Sequence, residues 1–160
     1  MKIEELISFC SDVRRALEMA DAEGIHDEMT ALGMSDFPAG CCGDTTDILA
    51  FLINKQFGEL ALRRSGVYKE HLNADSRLRD GNSHAWLELS GNVIDLTADQ
   101  FNDRGFENPS VMITSDHSFH DLFASRDSRY NLQAAVPPSI NPRLGTSIWY
   151  VTKKLKSFGW

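Results

Sequence analysis

Three short segments of this chain carry side chains that can do chemistry together. They are Gly40-Cys41-Cys42-Gly43-Asp44, then Ser83-His84-Ala85-Trp86-Leu87-Glu88, then Asp95-Leu96-Thr97. They supply, in order, a thiol, an imidazole and a carboxylate. A free thiol is mostly protonated at neutral pH, and it becomes a nucleophile when a helix N-terminus and a nearby imidazole stabilise its thiolate. Cys42 stands just ahead of a predicted helix, where backbone N–H groups lack intrahelical partners and the helix dipole is positive. Those groups, the Cys42 N–H among them, are placed to hold the oxyanion of an acyl-transfer intermediate. His84 is the candidate base, and Asp95 the acid that orients it.

Whether His84 and Asp95 meet depends on the hairpin between them. A two-residue loop at Ser90-Gly91 pairs Leu89 with Asn92 and Trp86 with Asp95, leaving His84 and Asp95 diagonal neighbours on one face, about 7–8 Å apart along the backbone. A loop at Gly91-Asn92 keeps the face but moves Asp95 farther away and puts Asp99 opposite. A three-residue loop sends Asp95 to the other face. Strand alternation puts Trp86 and Glu88 on the His84 face, with Trp86 as a wall against water, and Ala85, Leu87 and Leu89 toward the core.

The elements around these residues read as helices first and strands afterwards. Ile3, Leu6, Ile7, Cys10, Val13, Leu17 and Met19 recur at helical spacing, so Cys10 is an inert core thiol. A weaker helical stretch covers about Ala22 to Ala31, and the segment 33–40 breaks it with turn formers. A third helix is predicted from about Gly43 to Gln56, with Asp44, Thr45 and Thr46 as cap residues, Ile48–Ile53 as its body and Gly58 as its stop. Short β-rich runs follow at Gly66–Lys69, Ala85–Leu89, Val93–Thr97 and Ser110–Thr114. Asp116 to Arg143 reads as loop with one short helix, either a substrate loop or a connection. Thr146 to Phe158 fits a last strand or a basic helix. The expectation is a single α+β domain over residues 1–160, with N-terminal helices packed on an antiparallel β-sheet.

Composition narrows the function classes. Sixteen Lys and Arg against 23 Asp and Glu give a formal charge of −7. A general nucleic-acid or anionic-membrane binder needs a dense cationic face instead. The acidic surface favours a basic partner. Hydrophobic residues at 42% of 160 positions suffice for a real core without disulfide staples. Three cysteines, at 10, 41 and 42, do not make a secreted disulfide framework, and no apolar signal or span is visible. A cytoplasmic protein is expected, with export lacking an apolar signal as the alternative. His117 and His120 with the two adjacent cysteines would make an unusual zinc site, lacking any Cys-x-x-Cys pair. No metal and no cofactor is expected.

The three segments together resemble the transglutaminase-like, papain-fold superfamily of cysteine enzymes. Gly40-Cys41-Cys42-Gly43-Asp44 is similar to its Gly-x-Cys-x-Asp nucleophile segment, and Ser83–Leu89 to its His-Ala-Trp-Val-Glu-Val strand. Asp95-Leu96-Thr97 is similar to its Asp-Pro-Thr, with Leu96 where proline is usual. The resemblance covers about residues 38–100. It implies a papain/transglutaminase-like core and a catalytic triad of Cys42, His84 and Asp95, with Cys42 rather than Cys41 as nucleophile. The implied activity is acyl transfer on an amide of a protein or peptide substrate, by a peptidase, amidase, glutamine deamidase or cross-linking enzyme. Hydrolysis is the better fit to so short a chain. The competing reading is a non-catalytic binding module, of immunity or adaptor type, on the same fold.

Overall fold

The computed structural model describes residues 1–123 and 140–160. Helix α1 spans Ile3–Ala22 and buries Leu6, Phe9, Cys10, Val13, Ala16, Leu17 and Ala20, a stripe at three- and four-residue spacing. Gly24, at φ +64°, turns the chain away from the helix. The expected helix from Ala22 to Ala31 is absent. The Asp27 side chain accepts the Met29 N–H at 2.8 Å, and the Asp27 carbonyl accepts the Thr30 hydroxyl at 2.6 Å, a local bonding pattern that competes with helix. Only the short α2, Ala31–Met34, forms there, with the Thr30 hydroxyl capping the Gly33 N–H.

Helix α3, Cys42–Phe57, is the central helix, burying Ile48, Leu49, Ala50, Leu52 and Ile53 around much of its circumference. Each of its buried Ile and Leu side chains contributes about 1.5–3 kcal/mol relative to exposure. Gly58, at φ +71°, closes it, and its N–H reaches the Asn54 carbonyl at 2.8 Å. After it come β1 (Leu62–Val67), β2 (Ser83–Leu89), β3 (Asn92–Asp95) and β4 (Met112–Thr114), paired antiparallel in that order. Strand β1 begins before the expected Gly66. Its Arg63 and Arg64 hide it from pattern reading, yet as an edge strand it tolerates them. Arg63 bonds Asp47 at 2.7 Å, and Arg64 bonds Glu88 of β2 at 3.0 Å.

The central strands β2 and β3 are buried on both faces, and the edge strands β1 and β4 are partly buried. Leu87, Leu89 and Ile94 join the helical core with α1, α3 and the last helix α5, Gly145–Phe158. The 146–158 segment is therefore helical, with Tyr150, Val151 and Leu155 on its buried face. On the other side, Trp86 and Val93 pack with Tyr68, Leu78, Phe101, Phe106 and Phe123. A 3-10 turn at Ala98–Arg104 and the one-turn helix α4, Ser118–Asp121, contribute to this aromatic layer. The rest of the expected loop from Asp116 to Arg143 lies, between 124 and 139, outside the described residues. No described helix is long and apolar enough to cross a membrane.

Candidate active site

Ser90 and Gly91 have φ of +51° and +81°, the two positive values of a two-residue hairpin turn whose twist matches the strands. The register is Leu89 opposite Asn92 and Leu87 opposite Ile94. This brings His84 Nε2 to 2.5 Å from Asp95 Oδ2, with the side chains 0% and 1% exposed. An ionised carboxylate only accepts, so Nε2–H donates. The alternative in which Asp99 faces His84 is overturned. Asp99 instead takes both Arg14 terminal nitrogens, at 2.8 and 2.9 Å.

Cys42 is the first residue of α3 and is half-buried. Its sulfur lies within the electrostatic reach of the His84 side chain and the Ala85 backbone N–H. With Nε2 held by Asp95, Nδ1 is the ring nitrogen open to another partner. Burial, the largest influence, pushes the thiol up. His84 and the Ala85 N–H outweigh it, and the thiol lies below its ordinary range. Burial likewise disfavours charge on His84, but the Asp95 charge and hydrogen bond and the contact with Cys42 raise it to about 9. Asp95, although buried, is held well below the usual carboxylate range by His84 and His120.

The neighbouring thiol is different. Cys41 is fully buried beside the Ala39 and Ala31 carbonyls, at 3.4 and 3.8 Å. Burial, followed by the nearby negative groups Asp21 and Asp44, pushes it up to about 12. Cys10, enclosed in the helical core, is pushed up to about 12 by burial alone. Asp44 does not cap its own helix. Its carboxylate accepts the Leu32 N–H at 3.2 Å and ties α2 to α3. Trp86 is 2% exposed and its ring stacks on His84, with centroids 5.9 Å apart.

Three residues join the site that sequence reasoning did not place there. His120 Nε2 donates to Asp95 Oδ2 at 2.8 Å. Gln100 Nε2 lies 3.5 Å from His84 Nδ1 and donates to the Thr97 carbonyl at 3.0 Å, while Oε1 accepts the Gly40 N–H at 3.2 Å. Arg14, buried on α1, reaches the Leu96 carbonyl at 2.6 Å and so pins the chain just past Asp95. Its only sequence signal was its position beside the apolar stripe between Cys10 and Leu17.

The expected alternative zinc set does not assemble. His117 is directed to the Gly91 carbonyl at 3.3 Å, and His120 is turned to Asp95. Among the described residues, His84, Asp95 and His120 are the group with nitrogen and oxygen atoms close enough to consider for an ion, within 4.8 Å. The 2.5 and 2.8 Å separations are those of shared protons. Ligands on one tetrahedral zinc stand about 3.3 Å apart. The group is hydrogen-bonded as it stands.

The chain matches no protein-family model, no curated protein and no solved structure. The described site holds an imidazole bonded to a buried carboxylate, with a half-buried thiol at the N-terminus of α3 whose ionisation the imidazole influences.

Proposed function

We propose that this protein is a cysteine-dependent acyl-transfer enzyme acting on amide bonds of a protein or peptide, on a papain/transglutaminase-like core. The observation that supports the reading is the buried His84–Asp95 pair, together with Cys42 at the start of α3 as the one thiol of the three that His84 shifts toward thiolate. The Cys42 thiolate attacks the amide carbon. A C–S bond forms, and the carbonyl π electrons move to oxygen, which the Cys42 N–H at the start of α3 helps to hold. As the tetrahedral intermediate collapses, the C–N bond breaks and the amine leaves with the proton from His84. Water then gives a proton to His84 and attacks the thioester, releasing the carboxylic acid and restoring the thiolate and imidazolium. Asp95 orients the ring throughout and stays ionised. A peptide bond as substrate gives proteolysis; a glutamine side chain gives deamidation.

The first test is iodoacetamide labelling at pH 6, read peptide by peptide in a mass spectrometer. Cys42 should react about tenfold or more faster than Cys10 and Cys41. Equally slow labelling of all three would favour the binding-module reading. Ammonia release from a glutamine-rich protein, set against new peptide termini, then separates deamidation from cleavage.

A further inference from the structure

Asp95 accepts from four donors while 2% exposed. Oδ1 takes the Thr97 N–H at 2.9 Å and the Thr97 hydroxyl at 3.3 Å. Oδ2 takes His84 at 2.5 Å and His120 at 2.8 Å. Three of these donors come from the β2–β3 hairpin and the residues just after it. His120 arrives from α4, 25 residues along the chain.

Packing does not account for this histidine. Its ring lies among Trp86 at 4.9 Å and Phe119 at 5.0 Å, surroundings that suit an apolar side chain. Its Nδ1 is buried with no hydrogen-bond partner among the described residues. Leaving such an atom unsatisfied costs about 1–3 kcal/mol. What the histidine supplies in return is one donor, aimed at the oxygen that also receives His84.

We propose that His120 is a positioning residue, which shares Asp95 Oδ2 with His84, fixes the carboxylate's rotation and keeps it anionic inside an apolar layer, so that His84 stays aimed and charged toward Cys42. The inference rests on the acyl-transfer reading. The other charged or titratable groups on the neighbouring elements have partners of their own. Asp116, whose charge reaches His120, accepts the Ser118 N–H at 2.9 Å; Glu88 pairs with Arg64 at 3.0 Å and has His117 at 3.9 Å; Asp44 is tied to Leu32, and Arg63 to Asp47.

The test uses the full chain with His120→Gln and His120→Phe. Glutamine can present an N–H where Nε2 stood, and phenylalanine keeps the ring without a donor. The readout is the pH dependence of Cys42 alkylation by iodoacetamide, with near-ultraviolet circular dichroism to confirm folding. His120→Gln should follow the parent profile within about twofold, whereas His120→Phe should shift it about one pH unit upward, roughly tenfold slower at pH 6. A His120→Phe profile that overlays the parent overturns the proposal, as does His120→Gln as slow as His120→Phe with both folded. In either case fast parent labelling leaves the acyl-transfer reading intact. Slow labelling of Cys42 in the parent itself overturns both. Should His120→Phe fail to fold, imidazole ¹⁵N shifts of the parent decide. A protonated Nε2 and bare Nδ1 on His120 support the proposal, and the opposite tautomer overturns it.

Discussion

Cys41 and Cys42 are covalent neighbours with opposite environments, because the start of a helix turns consecutive side chains about 100° apart. One faces carbonyl oxygens and carboxylates, the other an imidazole and a backbone N–H. Cys42→Ala is therefore expected to abolish turnover, with little change in melting temperature at about pH 6.5, the low end of the window considered below. Cys41→Ala should keep most of the activity and lose about 1 kcal/mol of stability from its buried sulfur. Equal loss of turnover from both changes would show that the wrong thiol has been chosen. The imidazole adds a pH signature. His84 is raised to about 9 chiefly against burial by Asp95, so kcat/KM should fall on the alkaline side near that value. Asp95→Asn removes the charge but no reacting atom. It should move that limb down toward the ordinary histidine range and slow turnover less than Cys42→Ala does. A limb that stays near 9 in Asp95→Asn would mean that Asp95 does not support the His84 charge.

At the level of elements, the site depends on how closely the chain after α4 approaches β1. Gly66 of β1 is paired with His84. A methyl group on Gly66 would stand 1.7 Å from the Phe123 carbonyl oxygen, backbone that cannot move aside cheaply. Gly66→Ala must lift this segment, and His120 just before it, from the sheet. It should lose about 2 kcal/mol or more of stability and slow Cys42 labelling together. Gly145→Ala is the matched control, since a methyl group there meets nothing within 4 Å and should be neutral or slightly stabilising. Denaturant midpoints for the two variants check both statements. These dependencies also mark where sequence reading ends. The turn residues 90–92 marked the hairpin but left its register open between two loops, which the backbone decides for Ser90-Gly91; the apolar body with Gly58 carried α3, a local rule of cap and period. His120 donating across 25 residues and Arg14 reaching Leu96 across 82 have no local signature. The first half of β1 was missed because its edge position tolerates the arginines that disguise it. The Ala22–Ala31 segment misled because Gly24 and Asp27 override a weak helical pattern.

For the molecule as a whole, the thiol and imidazole can be tested through stability alone. Between about pH 6.5 and 8.5 the unfolded chain carries one proton on this pair, on the Cys42 sulfur. In the proposed thiolate–imidazolium pair the folded chain also carries one, on His84, in keeping with the lowered Cys42 and raised His84. Equal proton counts mean that the pair adds no slope to stability across this window. Cys42→Ala breaks the balance. Unfolded His84 then loses its proton above about pH 6.5, while folded His84, still bonded to Asp95, keeps it. A raised folded value gives a contribution that is complete below the unfolded value and is lost as pH rises through the folded one. Stability of Cys42→Ala should therefore fall, relative to the parent, by up to about 1.4 kcal/mol per pH unit through this window. Asp95, lowered in the folded state, acts at the other end: its contribution is present above about pH 3.9 and lost in acid, in both proteins alike. Urea unfolding of parent and variant at pH 6.5, 7.5 and 8.5 measures the difference, in which the remaining charges of this acidic chain cancel. Two parallel lines would mean that folded His84 holds no extra proton, and the thiolate–imidazolium pair would have to be abandoned.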